Sequence, residues 1–103
     1  MLLSDIIADA GYYPFARSII ERLLQEPTVD VDQKDVHKGK TPLMYAAMRG
    51  VEKIAVALLE HGADVHATDR GNRTAIEMAA DYHNFGTRNV VTAWAAMAAR
   101  DSD

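Results

Sequence analysis

Cysteine is absent from this chain of 103 residues, so disulfide bonds, thiolate catalysis and zinc–thiolate sites are excluded. Long apolar runs are absent as well. The longest, residues 90–99, contains Thr92 and is far shorter than the roughly 20 residues that cross a bilayer. The first residues include no basic segment, and Asp5 and Asp9 interrupt their apolar stretch. We therefore expect no membrane span, no signal peptide and a cytoplasmic location.

A basic excess is also lacking, because the formal net charge is −4. Proteins that bind duplex nucleic acid gain affinity by neutralising phosphates, and they usually carry a surplus of lysine and arginine. The composition is otherwise typical of a folded domain, with 49% hydrophobic and 25% charged residues. From the length we expect one domain over residues 1–103.

Motifs for catalysis and phosphate binding are missing too. No serine lies in a G-x-S-x-G pattern, and no glycine-rich stretch leads into a lysine followed by serine or threonine. The histidines have no cysteine or acidic partner at a zinc-ligand spacing, and His61 and His66 lie on either side of the turn at Gly62. We predict no enzyme activity, no cofactor and no metal site.

Two segments of the chain repeat one another. Residues 39–50 read GKTPLMYAAMRG and residues 72–82 read NRTAIEMAADY, so that Thr74 follows Thr41 by 33 residues. This spacing is the period of ankyrin repeats. The stretch Gly39–Asp69 resembles one full repeat of the ankyrin-repeat family, with the pattern G-x-T-P-L-x-x-A-A-x-x-G followed by L-L-x-x-G-A-D-V-x-A-x-D.

The parts of this repeat also have individual physical explanations. Thr41 can accept a hydrogen bond from a free N–H at the start of a helix, and Pro42 lies where its missing N–H has no cost. Gly50 can adopt the left-handed conformation that ends a helix, and Gly62 ends the next one. The second helix, from about residue 52 to 61, is predicted to bury Ile54, Val56, Leu58 and Leu59.

The flanking segments resemble degenerate copies of the repeat. Residues 1–26 are predicted to form an N-terminal capping helix pair, residues 39–69 the central repeat, and residues 72–100 a C-terminal capping repeat. The predicted core of the flanks is Leu2, Leu3, Ile6, Ile7, Phe15, Ile19, Ile20, Leu23, Leu24, Val90, Val91, Trp94 and Met97. The whole is thus predicted to be an all-α ankyrin-repeat solenoid of about three stacked helix-turn-helix units, with finger turns near 27–40 and 62–73.

Three departures from the repeat pattern carry further predictions. The first finger has one residue more than the second, and Asn72 replaces a glycine at a left-handed position. The turn at 82–86 looks about three residues longer than the turn at Gly50. We interpret it as a C-terminal cap in which Phe85 covers the last helix pair, with a partner contact as the alternative.

The resemblance implies a binding surface, since ankyrin domains contact partners through finger tips and the concave face of their first helices. The matching and flanking positions are Lys34, His37, Lys38, Lys40, Met48, Arg49, Thr68, Arg70, Arg73, Asp81 and Tyr82. Six of the 11 lysines and arginines belong to this set, which predicts a basic concave face and a partner with an acidic surface patch. The alternative is that solvated finger loops carry these cations without binding anything. Met48, Arg49 and Tyr82 are the expected anchors.

The predicted function is protein binding that inhibits, protects against or adapts a partner, as an inhibitor, an immunity-type protein or an adaptor would. The alternative is a binder of nucleic acid or anionic lipid that uses the same basic face, which the overall acidity opposes. We expect a monomer. A homodimer through the alanine-rich C-terminal helix is the alternative.

Overall fold

A computed structural model describes residues 3–8 and 16–101, and these residues contain six α-helices and no β-strand. In chain order the helices are α1 (Leu3–Ala8), α2 (Ala16–Leu24), α3 (Pro42–Arg49), α4 (Glu52–Glu60), α5 (Ala75–Asp81) and α6 (Phe85–Asp101). Helix α1 packs against α2, α3 against α4, and α5 against α6. The pairs stack so that α1, α3 and α5 form one layer and α2, α4 and α6 the other, which confirms the all-α solenoid of three units.

The inner helices α3 and α5 begin in the same way. The hydroxyl of Thr41 accepts a hydrogen bond from the Met44 N–H at 3.3 Å, and the hydroxyl of Thr74 accepts one from the Glu77 N–H at 3.3 Å. Each hydroxyl satisfies a backbone donor that has no partner within the helix. Pro42 follows the first of these caps, as predicted, and the two caps fix where each repeat begins.

A left-handed residue follows each inner helix at an equivalent position. Gly50, after α3, has a φ of 69°, and His83 has a φ of 59° exactly one 33-residue period later in the sequence. Helix α6 begins at Phe85, one period after the start of α4 at Glu52. The prediction of a longer turn was therefore wrong, because His83 replaces glycine in the left-handed conformation without an insertion. Asn72 was correctly predicted to be left-handed, with a φ of 63°.

The core lies between the two layers and is made mostly of small and branched side chains. Leu43, Ala46 and Ala47 of α3 are fully buried, as are Ile54 and Leu58 of α4. The alanines let neighbouring helices approach closely. Val56 is only half-buried, and the buried side of α4 includes two alanines that we did not predict, Ala55 and Ala57.

Two residues that we predicted in the core lie at the surface. Ile19 of α2 is 46% exposed and Met97 of α6 is 54% exposed. Trp94 is partly buried against the core, whereas Leu2 and Phe15 lie outside the described residues. Helix α6 continues to Asp101 although α4 ends at Glu60, because Ala95 occupies the position that Gly62 has one period earlier.

The fingers are the two non-helical connections, residues 25–41 and 61–74. The extra residue of the first finger lies at its tip. The Asp35 N–H bonds to the carbonyl oxygen of Lys40, whereas in the second finger the Asp69 N–H bonds to that of Arg73, one residue closer. Val36, which lies in this longer tip, is exposed.

Candidate partner-binding site

The two finger tips are joined by hydrogen bonds between predicted site residues. The Nζ of Lys34 donates to the carbonyl oxygen of Thr68 at 2.9 Å, and Nη1 of Arg70 donates to that of His37 at 2.8 Å. The Arg70 N–H also donates to the Lys38 carbonyl oxygen at 3.0 Å. The structure thus brings these five residues together, and part of what Lys34 and Arg70 do is to hold one finger against the other.

The side chain of Asp35 holds the first finger together by accepting hydrogen bonds from three residues. One carboxylate oxygen of Asp35 accepts the N–H groups of Lys38 at 2.8 Å and Lys40 at 3.3 Å, and the other accepts the Tyr45 hydroxyl. Burial raises the pKa of Asp35, but these hydrogen bonds outweigh burial and hold the pKa at about 2. The ionised carboxylate therefore ties the finger tip to helix α3.

Asp69 has the equivalent position in the second finger, and it pairs with Lys40 of the first. The distance from Lys40 Nζ to Asp69 Oδ2 is 2.8 Å, and the two side chains are only 14% and 5% exposed. Asp69 also accepts the N–H groups of Gly71 and Arg73, at 2.9 and 3.0 Å. The hydrogen bond from Lys40 is the largest of several contributions that lower the pKa of Asp69. Lys40, a predicted binding residue, thus lies in a largely buried ion pair.

These two aspartates make the stability of the fold depend on acid. Because each pKa is lower in the folded chain than in the unfolded one, the stabilisation is complete above the unfolded pKa of about 4.

We expect the free energy of unfolding to fall as the pH drops from about 5 towards the pKa of about 2 that the folded chain gives Asp35. Urea unfolding at pH 7, 5, 4 and 3 measures this change. Asp35→Asn should show a shallower decline than the wild type, whereas Asp30→Asn, a change at an exposed aspartate, should keep the wild-type slope. Parallel curves for all three proteins would contradict the assignment.

A cleft of about 180 Å³ lies between the second finger and the inner helices. Met48 of α3 and Met78 of α5 line it together with Tyr82, which is 54% exposed. Its remaining lining residues are Lys40, Asp69, Arg73 and Asp81. Five of the eleven predicted site residues, Lys40, Met48, Arg73, Asp81 and Tyr82, therefore meet in one depression.

The charge of this face is more balanced than we predicted. Arg73 forms an ion pair with Asp81, and Lys40 forms one with Asp69, so the cations of the cleft are neutralised in place. Among the predicted basic residues, four are not paired with a carboxylate within the described part of the chain: Lys34, Lys38, Arg49 and Arg70. Arg49 is exposed at the end of α3, outside the lining of the cleft. The predicted cations that lack a carboxylate partner in the described part of the chain thus lie at the finger tips and at the end of α3.

The turn after α5 serves a different purpose from the one we predicted. Asn84 Nδ2 donates to the carbonyl oxygens of Ala47 and Met48, at 2.8 and 3.0 Å, and so closes the end of α3 in the neighbouring repeat. Phe85 is 48% exposed and does not cover the last helix pair. Instead the guanidinium of Arg88 lies 4.9 Å from the centre of its ring. Met78 is a cleft residue that we did not predict, although its place one turn into α5 was the available signal.

We also searched the described residues for a metal site and for a membrane span. Within residues 3–8 and 16–101, no three histidine, aspartate or glutamate side chains are grouped to hold a metal ion. Nor does any helix in these ranges combine the length and apolarity that a membrane span requires.

Comparison with known proteins agrees with the fold. A family model described as ankyrin repeats in three copies matches residues 7–93. The chain is 41% identical to inversin of Gallus gallus over 56 residues, which are 54% of this chain and 5% of inversin. It is 38% identical over 69 residues, 67% of this chain, to the putative ankyrin repeat protein FPV244 of Fowlpox virus, of which they cover 10%.

A bacterial relative is covered more fully. The putative ankyrin repeat protein YahD of Escherichia coli is 39% identical over 67 residues, which are 60% of this chain and 33% of that protein. The matched stretch thus spans a third or less of each of these relatives, so the comparisons concern the repeat unit and not the whole activity of any of them. The family match covers most of the chain, and the caps, left-handed turns and paired fingers are those that the repeat pattern requires. The chain belongs to the ankyrin-repeat family, whose repeats form a non-enzymatic module for protein–protein interaction.

Proposed function

We infer that this chain binds a partner protein through the cleft and the finger tips, and that it thereby inhibits, protects against or adapts that partner. The observation that carries the proposal is the cleft. It brings together an aromatic side chain, two methionines, of which Met78 is almost fully buried, and four charged residues. Aromatic and methionine side chains surrounded by a polar rim are typical of the centre of an interface.

The four cations without a carboxylate partner indicate the charge that the partner's surface should carry. Lys34, Lys38 and Arg70 lie in the finger tips and Arg49 at the end of α3, whereas the cations that line the cleft are neutralised. An acidic patch on the partner would approach this border first, and its apolar centre would then enter the cleft. Exposed charges of this kind act mainly on the rate of association.

A charge-reversal experiment tests the proposal. The partner is captured from the native source with the wild-type chain, identified by mass spectrometry and purified. Lys38→Glu combined with Arg49→Glu should then slow its association about five- to tenfold at low salt, with a smaller effect at high salt. The control is Arg22→Glu combined with Lys53→Glu, which changes the net charge equally at exposed positions of α2 and α4. Circular dichroism verifies that both variants fold.

The control also defines the outcomes that would count against the proposal. Equal slowing in both variants would mean that only a diffuse electric field matters. A larger effect in the control would place the interface on the outer helices. Capture of nucleic acid, or binding to anionic liposomes that is lost in the Lys38 and Arg49 variant, would favour the alternative function instead.

We expect the protein to act as a monomer. Self-association through α6 is the alternative, favoured by the exposure of Met97 on that helix. Sedimentation at two concentrations distinguishes the two states.

A further inference from the structure

The size of the cleft points to the kind of group that it receives. Its volume of about 180 Å³ is below the roughly 300–1,000 Å³ of small-molecule pockets and equals the share of about six water molecules in the liquid, at about 30 Å³ each. A single large side chain has this size. Methionines adjust their shape to an incoming apolar group. Here the partly buried Met48 lines the cleft beside the exposed ring of Tyr82, and Met78, which also lines it, is almost fully buried.

The two ion pairs of the cleft differ in how firmly they are held. Lys40 and Asp69 are largely buried, and Asp69 has additional backbone hydrogen bonds, so this pair is a fixed part of the wall. Arg73 and Asp81 are 44% and 49% exposed. Exposed ion pairs of this kind shift an equilibrium only by a factor of about one to five. The pair at the rim can therefore be exchanged, whereas the pair in the wall cannot.

The ion pair at the rim does not satisfy every nitrogen of the Arg73 guanidinium. Asp81 contacts Nη2 of Arg73, whereas Nε of the same guanidinium is shielded from solvent in the free protein and has no hydrogen-bond partner among the described residues. A carboxylate that engages a guanidinium along one edge makes two parallel hydrogen bonds and is held more strongly than one at a single nitrogen. Asp81 thus holds the guanidinium at one nitrogen only, and a carboxylate that took its place and also reached the buried Nε would be held more strongly.

On the basis of the proposed function, we propose that the cleft receives one large apolar side chain of an extended acidic segment of the partner, and that Asp81 holds, in the free protein, the place on Arg73 that a carboxylate of this segment takes on binding. Asp81 then competes with the partner. It makes the cleft selective by a factor of about two to five, because a segment without a carboxylate must break this ion pair without replacing it.

The first part of the test is a selection from a phage-displayed library of random peptides on the full-length folded protein. The expected result is enrichment of peptides with leucine, methionine or phenylalanine within two positions of aspartate or glutamate. Enrichment of basic peptides, or of peptides without an apolar residue, would overturn the inference.

The second part measures the affinity of an enriched peptide for two neutralised variants. Asp81→Asn removes the competitor and should tighten binding about two- to fivefold. Glu60→Gln removes one negative charge from an exposed position at the end of α4 and should change the affinity by less than about 1.5-fold at physiological salt. Weaker binding by Asp81→Asn, or the same change in both variants, would overturn the inference.

A third variant separates the inference from the proposed function. Tyr82→Ala should weaken the peptide at least tenfold, because it removes a wall of the cleft. If Tyr82→Ala weakens binding and Asp81→Asn does not tighten it, the cleft is the binding site but Asp81 is not a competitor. If Tyr82→Ala has no effect, the binding site lies elsewhere and both proposals fail.

Discussion

Replacing Leu58 with alanine is expected to lower the free energy of unfolding by about 2–5 kcal/mol. Leu58 is fully buried in α4, which packs against α3 of its own repeat and against α2 and α6 of the repeats on either side. The truncation leaves a cavity at the point where all three units meet. A small domain has about 5–15 kcal/mol of stability in total, so the variant should lose a large part of its resistance to urea.

Ile19→Ala is the matched control for this change. It truncates a large aliphatic side chain on α2 that is 46% exposed, and we expect a loss below about 1 kcal/mol. Urea titrations followed by circular dichroism give both values. Losses of similar size at the two positions, or a loss at Leu58 below about 1 kcal/mol, would contradict the packing described above.

Gly50→Ala is the second substitution with a large expected effect, about 2–4 kcal/mol of lost stability. Gly50 has a φ of 69°, and a side chain in this conformation costs about 1–2 kcal/mol. In addition, a Cβ atom would lie 2.6 Å from Oδ1 of Asn84. The amide would have to move away from the carbonyl oxygens of Ala47 and Met48, with a loss of about 0.5–1.5 kcal/mol for each hydrogen bond.

Two further variants separate the backbone strain from the collision. Gly62→Ala also places a side chain at a positive φ, 90°, but its Cβ atom would have no neighbour within 4 Å. It should therefore destabilise by less than Gly50→Ala. In a double-mutant cycle, Gly50→Ala should be less harmful by about 1 kcal/mol or more when Asn84→Ala is already present. Additive effects would contradict a direct contact between the two residues.

The local features of the repeat were predictable from the sequence because each depends on residues close together in the chain. Thr41 and Thr74 cap the helices that follow them, and Gly50 and Asn72 adopt the left-handed conformation for reasons of backbone geometry. His83 was not recognised at the equivalent position, because histidine is a less frequent choice there than glycine or asparagine. The apparent insertion in the turn followed from that omission.

The charges of the binding face were harder to predict because their partners are distant in sequence. Lys40 pairs with Asp69, 29 residues away, and Lys34 donates to the carbonyl group of residue 68. A count of lysines and arginines cannot show which of them a neighbouring finger has already engaged. We could assign the lysines and arginines to the fingers from the repeat pattern. Whether each of them is neutralised depends on contacts between repeats, which the pattern does not show.

Burial at the two ends of the stack was also hard to predict from the sequence. Ile19 and Met97 have the spacing of core residues, but periodicity shows which side of a helix is apolar and not whether another helix covers it. In a solenoid each unit contacts only its neighbours, so the terminal units keep uncovered surface. Asn84 illustrates the opposite case, since a polar residue in a turn proved to join two repeats.

Methyl NMR of the methionines tests most directly the claim that the cleft is where the partner binds. Four methionine methyl groups serve as probes. Met48 and the almost fully buried Met78 line the cleft, Met44 is buried in the core and does not line it, and Met97 is exposed on α6. On titration with the captured partner, the Met48 and Met78 signals should shift or broaden, whereas those of Met44 and Met97 should change little. A shift of Met97 with Met48 and Met78 unchanged would place the interface on the C-terminal helix and contradict the account.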